Sequence, residues 1–132
     1  MSLESDLLRE YKTLVVVGLS SDAERPSFRV SRYMQEHGYR IIPVNPLEQE
    51  VLGERCYASL GDIPEPIEFV DVFRRAEFCP ALAQEAVASG AQVLWLQEGV
   101  VSSEARAIAE QAGLTFVEDA CVMAVHAGEL RH

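Results

Sequence analysis

Residues 14–29 read Leu14-Val-Val-Val-Gly-Leu-Ser-Ser-Asp-Ala-Glu-Arg-Pro-Ser-Phe-Arg, and this stretch decides the fold. Thr13–Val17 is a continuous β-branched and apolar run, the pattern of a strand buried on both faces. Gly18 lets the backbone turn close to whatever lies beside it. Ser20 and Ser21 add hydroxyl donors, and Pro26 suits the first turn of a following helix. Strand, glycine turn and helix start form one unit whose loop amides and hydroxyls can meet a phosphate.

The flanking sequence repeats that unit. Leu3, Leu7, Leu8 and Tyr11 make a helical stripe behind Ser2 as N-cap, predicting a short helix over 3–11. A helix over 26–37 stops at Gly38. Arg40–Val44 reads as a second strand, ended by Asn45-Pro46. Residues 47–65 are irregular, broken by Gly53, Gly61 and Pro64, with one helical turn expected within Tyr57–Ile63. Strands follow at Glu68–Phe73, Gln92–Leu96 and Leu114–Val117. They alternate with helices Cys79–Ser89 and Glu104–Ala112, the second capped by Ser102 or Ser103. A short helix is expected over Val122–Leu130. The fold class is therefore α/β: a doubly wound parallel five-stranded sheet in the order 3-2-1-4-5, with helices on both faces. Crossovers should be right-handed. With 132 residues, and neither repeat nor linker, residues 1–132 are expected to form one domain.

Composition narrows the function. A net charge of −10 argues against a nucleic-acid binder, which needs a basic face, and favours small-molecule or protein partners. An acidic chain that takes an anionic ligand must gather its few cations in one place. Cys56, Cys79 and Cys121 are odd in number and share no Cys-x-x-Cys spacing, which disfavours disulfides and zinc. Free thiols fit a reducing cytoplasm. The N-terminus lacks the basic and apolar regions of a signal peptide, and no apolar run is long enough to cross a bilayer. His37, His126 and His132 show no metal-ligand spacing.

Ligands of such sheets bind beyond the carboxyl ends of the strands, near the switch point expected between strands 1 and 4. Gly18, Ser20 and Ser21 lie at that edge. Dinucleotide binding asks for Gly-x-Gly-x-x-Gly and an acid about 20 residues on. Here Gly18 stands alone and the second strand ends without a carboxylate, which disfavours NAD. Arg25, Arg29 and Arg32 share a helix face, with Arg25 and Arg29 as candidate phosphate partners. Arg32 and Arg40 read as solvated charges. Arg74 and Arg75 follow the third strand directly, a pairing that suits a phosphate. Gln97 follows the fourth strand, where a polar side chain can bond a ligand amide or base. Trp95 reads as core. Cys121 lies near the same edge and reads first as a buried structural thiol. There is no Gly-x-Ser-x-Gly elbow and no lysine-bearing phosphate loop.

Several segments together resemble stand-alone CoA-binding proteins related to the N-terminal domain of the succinyl-CoA synthetase alpha subunit. They are Val17-Gly-Leu-Ser, Arg25-Pro-Ser, Gly38-Tyr with Pro43-Val-Asn-Pro, Val70-Asp-Val-Phe-Arg, Trp95-Leu-Gln-Glu-Gly, Ala112-Gly-Leu and Asp119-Ala-Cys. They run in order from about Lys12 to about Leu130. The resemblance implies a Rossmann-like domain that binds coenzyme A or acyl-CoA. Its Gly18–Ser21 turn would meet the phosphates. Asn45, Pro46 and the Phe73–Arg75 loop would flank adenosine and pantetheine, and Gln97 would lie near the pantetheine arm. Family members often carry a basic residue after Asn-Pro. This chain has Leu47 there, which takes a phosphate contact from the second loop out of the implied set. The phosphohistidine and ligase domain of the synthetase have no counterpart here.

Three functions compete. The leading expectation is a non-catalytic or accessory CoA-binding module. The second is a small enzyme acting on a CoA thioester or another nucleotide through a thiol such as Cys121. The third is a CoA- or redox-sensing regulator acting through a protein partner. Neither nucleic acid nor a membrane is an expected partner, and the apolar stripe of the first helix is a candidate homodimer face.

Overall fold

Apolar runs and helix caps set the elements of the computed structural model, which describes residues 2–130. His132 lies outside the described residues. Helix α1 spans Leu3–Glu10 and is closed by a reciprocal cap between Ser2 and Ser5. Strand β1 spans Thr13–Val17, helix α2 Pro26–Glu36 and strand β2 Arg40–Val44. A hairpin pairs β3, Glu50–Val51, with β4, Glu54–Arg55. After a 3₁₀ turn at Leu60–Asp62 come β5 at Phe69–Val72, α3 at Cys79–Ala88 and β6 at Val93–Leu96. Helix α4 spans Ser103–Gln111, and the Ser102 side chain accepts the Ala105 N–H. Strand β7 is Thr115–Val117 and α5 is Val122–Val125, continued as a π-helix over His126–Leu130.

The five long strands are parallel and helices cover both faces of the sheet, so the expected α/β, Rossmann-like class holds. Val15, Val17, Val70, Val72, Leu94 and Leu96 face α3 and α4. The two helices pack through Ala83, Ala86, Ala105 and Ala109, small side chains that allow close approach. Leu14, Val16, Phe69 and Trp95 face the layer of α1, α2 and α5. Trp95 is fully buried, and its indole N–H donates to Ala120 O at 2.8 Å.

The strand order differs from the expectation. The sheet runs β2-β1-β5-β6-β7, which is 2-1-3-4-5 among the long strands rather than 3-2-1-4-5. Strand β2 is an edge, and Pro43 within it is the reason. A proline lacks the N–H that a central strand needs, so it belongs on an edge. Its carbonyl, pointing outward, accepts the Tyr57 N–H at 3.0 Å, while the Asn45 N–H donates to Tyr57 O at 2.9 Å. Tyr57 thus takes the place beside β2 where a third strand would lie. The chain instead crosses over to set β5 against β1, and the switch point falls between those two strands.

Two local features were not expected. The β3–β4 turn places Leu52 and Gly53 at φ 56° and 76°, the signature of a type I′ hairpin. Leucine is a poor residue there. Tertiary contacts hold it: Val51 is buried, and Gln35 Nε2 of α2 donates to Leu52 O at 3.0 Å. The stripe of α1 is also covered, because Leu7 and Leu8 are buried in the α1, α2 and α5 layer. Leu3 is left as the exposed large apolar side chain of that helix, so the stripe is not a ready homodimer face.

Candidate functional site

The switch point opens a cleft of about 620 Å³. Gly18 forms its floor at the end of β1. The Gly18 backbone has φ +87°, and a Cβ there would sit 2.6 Å from Phe73 O. No other residue fits without pushing the β1 and β5 ends apart. The Gly18 N–H donates to Val44 O at 2.8 Å, and the Phe73 N–H to Val17 O at 2.9 Å. These bonds lock the ends of β1, β2 and β5 together.

The loop beyond Gly18 folds onto the start of α2. Ser20 N–H donates to Ser27 Oγ at 3.1 Å, and Ser20 Oγ accepts the Asp22 N–H at 3.0 Å. Arg25 is the N-cap and makes no side-chain capping bond, and Pro26 opens the helix. The positive end of α2 is therefore uncapped beside the cleft, which favours an anion.

Three arginines and a single glutamate line the cleft, namely Arg25, Arg74, Arg75 and Glu98. In a chain of net charge −10 this is a local concentration of cations. Arg74 lies 4.3 Å and Arg75 5.5 Å from the Phe78 ring centre, so one aromatic face holds both. Arg75 also pairs with Glu77 at 3.2 Å, but both side chains are exposed and the pair is weak. Arg74 forms no ion pair among the described residues.

On the far wall Gln97 is only 4% exposed, and its Nε2 donates to Asp71 Oδ1 at 2.5 Å. Asp71 sits in the middle of β5 between Val16 and Trp95. Burial pushes its carboxyl up to about 7, against the opposing effect of the Gln97 hydrogen bond. Beyond β6, the Gly99 N–H donates to Asp119 Oδ1 at 2.7 Å and ties the β6 and β7 loops together. Cys121, which follows, lines the cleft and is half-buried. This corrects its reading as a buried structural thiol. Cys56 and Cys79 are buried, and burial pushes both thiols up.

The cleft gathers Gly18, Ser20, Arg25, Phe73, Arg74, Arg75 and Gln97 from the residues singled out in the sequence. Pro46 lines a smaller adjoining cleft of about 170 Å³ that shares Gly18 and Arg74. Ser21, Arg29 and Asn45 line neither. The Ser21 N–H donates to Glu48 Oε2 at 2.7 Å, and hydrogen bonding from the Ser21 side chain, then from its backbone, holds the Glu48 carboxyl below its ordinary value. Arg29 Nη1 bonds Glu24 O at 2.5 Å. Asn45 Nδ2 donates to Leu19 O at 3.1 Å and its Oδ1 accepts the Leu47 N–H. These three brace the loops that shape the cleft. Arg40 pairs with Glu65 at the surface, and Leu47 is 89% exposed. Asp71 stands out among the residues that sequence reasoning passed over. The signal for Asp71 was a lone carboxylate inside an apolar strand. Among the described residues no group of three or more His, Cys, Asp or Glu comes together to hold a metal. Among the described residues no helix is long and apolar enough to cross a membrane.

The profile of a family described as the CoA binding domain matches residues 12–127. The chain belongs to that family. It is 43% identical over 122 residues to the uncharacterized protein YneT of Bacillus subtilis (strain 168), covering 92% of this chain and 90% of that one. A hypothetical protein from Pyrococcus horikoshii OT3 superposes with a TM-score of 0.90 at 40% identity, over 94% of this chain and 87% of that one. The chain is also 28% identical over 81 residues to acetate–CoA ligase [ADP-forming] II of Archaeoglobus fulgidus. That match covers 60% of this chain but 12% of the ligase. The CoA binding domain family therefore accounts for nearly the whole chain, whereas the ligase shares only a small part of itself with it.

Proposed function

We propose that the cleft binds coenzyme A or an acyl-CoA, and that the domain acts as a binding or accessory module in the reducing cytoplasm. The carrying observation is the gathering of Arg25, Arg74 and Arg75 around the Gly18 turn of an acidic chain. CoA presents a diphosphate and a 3′-phosphate, which are the charges such a cluster attracts. The diphosphate lies against Gly18, Ser20 and the uncapped start of α2. Arg74 and Arg75 meet phosphate from the β5 side, and Pro46 of the adjoining cleft flanks the adenosine. The pantetheine arm runs past Gln97 toward Cys121. Membership in the CoA binding domain family supports the same ligand.

Isothermal titration with CoA, 3′-dephospho-CoA and NAD tests the reading. Both CoA species should bind and NAD should not. Heats for CoA no larger than for NAD would overturn it. The position of Cys121 on the cleft favours one second reading, an enzyme that acts on a CoA thioester through that thiol. A Cys121→Ser variant indistinguishable from wild type in a thioesterase and acyl-transfer screen would remove it.

A further inference from the structure

A carboxylate held in the centre of a sheet needs a reason, because its burial raises its own cost. Asp71 is 1% exposed, and among the described residues the hydrogen-bond partner of its side chain is Gln97. An ionised carboxylate only accepts hydrogen bonds, so it must face the NH₂ side of the Gln97 amide. The other end of that amide, Oε1, makes no hydrogen bond among the described residues. Nor is it sealed in: among the described residues the buried side-chain atom without a partner is Ser31 Oγ. Gln97 lines the cleft, so its free oxygen opens there.

We propose that Asp71 is a positioning residue that turns the Gln97 oxygen into the cleft as a fixed acceptor, so that the cleft selects a ligand bearing an N–H donor at that point. The amide-rich pantetheine arm of CoA carries such donors. This rests on the cleft being the CoA site and adds how that site reads the neutral arm rather than the phosphates.

The arrangement is reversible by one proton. Protonated Asp71 can donate to Gln97 Oε1, which rotates the amide and presents its NH₂ to the cleft instead. The carboxyl, pushed up to about 7, makes this exchange reachable near neutral pH. The flanking strands contribute Val16 and Trp95. The titratable groups around the cleft are Arg25 at the start of α2, Arg74 and Arg75 beyond β5, Glu98 beyond β6 and Cys121 before α5. None of these is a cause of the Asp71 shift, which comes from burial and the Gln97 bond.

The test is CoA affinity of the full chain from pH 6 to pH 8.5 for wild type, Gln97→Met and Asp71→Asn. Ligand phosphates titrate identically against all three, so ratios between variants cancel them. Wild type should bind about five- to tenfold tighter than Gln97→Met at pH 8.5, roughly the worth of one hydrogen bond. That ratio should shrink toward one at pH 6, and Asp71→Asn should lose the pH dependence. Equal affinities of wild type and Gln97→Met at pH 8.5, or an unchanged pH profile in Asp71→Asn, would overturn the proposal. The side-chain amide resonances of Gln97 in the ligand-free chain give an independent reading. They should titrate with a midpoint near 7 in wild type and not in Asp71→Asn, and a flat profile in wild type refutes the Asp71 role even if CoA binds. Failure of wild type to bind CoA at all would instead sink the ligand assignment, whatever the resonances do.

Discussion

Replacing Asp71 by Asn should stabilise the fold, and should do so only toward the alkaline side. The Asp71 carboxyl rises from 3.8 to about 7 on folding because burial penalises its charge. The folded chain therefore holds the proton more tightly than the unfolded chain. Stability attached to this group is fully present below about pH 4 and is lost as pH rises through about 7. At pH 8 both states are ionised, and a rise of that size corresponds to about 4 kcal/mol of native-state cost. Asn has nearly the same shape and can still accept the Gln97 Nε2 bond through its oxygen, so little packing is lost. Urea unfolding at pH 8 should show Asp71→Asn more stable by about 2–4 kcal/mol, and at pH 4.5 the difference should fall below about 1 kcal/mol. In a domain of this length each kcal/mol also moves the thermal midpoint by several degrees. Identical urea midpoints at pH 8 would refute the reasoning, as would an Asn variant less stable at both pH values. A stabilised variant with weakened CoA binding would show stability given up for function.

Gly18→Ala should cost about 2 kcal/mol or more in urea unfolding, because it combines a strained φ with a Cβ driven against Phe73 O; a cost near zero would mean the β1 and β5 ends are loose. Arg74→Ala with Arg75→Ala should weaken CoA binding at least tenfold in titration calorimetry and flatten its salt dependence, while leaving the thermal midpoint nearly unchanged. Thiol labelling of the native chain should show one fast site at Cys121, with Cys56 and Cys79 reacting only on unfolding. Saturating CoA should slow the Cys121 reaction if the pantetheine arm passes over it.

Element identity was legible because it rests on local physics. The apolar runs at Thr13–Val17 and Val93–Leu96 read as buried strands, and Pro26 by its fixed backbone and Ser102 by its capping side chain mark helix starts. The β3–β4 hairpin was not legible. Leu52 at positive φ contradicts turn preference and is held there by Gln35 from a distant helix. The strand order lay in between. Pro43 is an edge-strand signal that the expected order 3-2-1-4-5 left unused, and the Tyr57 contacts show that its outer side is already taken.

The site divides in the same way. The sequence alone determined that a glycine turn, nearby arginines and Gln97 would collect at one sheet edge, since strand polarity sends every βα loop to the same end. Tertiary structure decided which of them share a cleft. Setting β5 beside β1 brings Arg74 to Gly18, whereas Arg29, Asn45 and Ser21 are drawn off by loop carbonyls, a loop amide and the Glu48 carboxylate. It also decided the chemistry of Asp71. A carboxylate in a strand looks the same in sequence whether it faces water or a sealed sheet, and only the packing around it sets its charge.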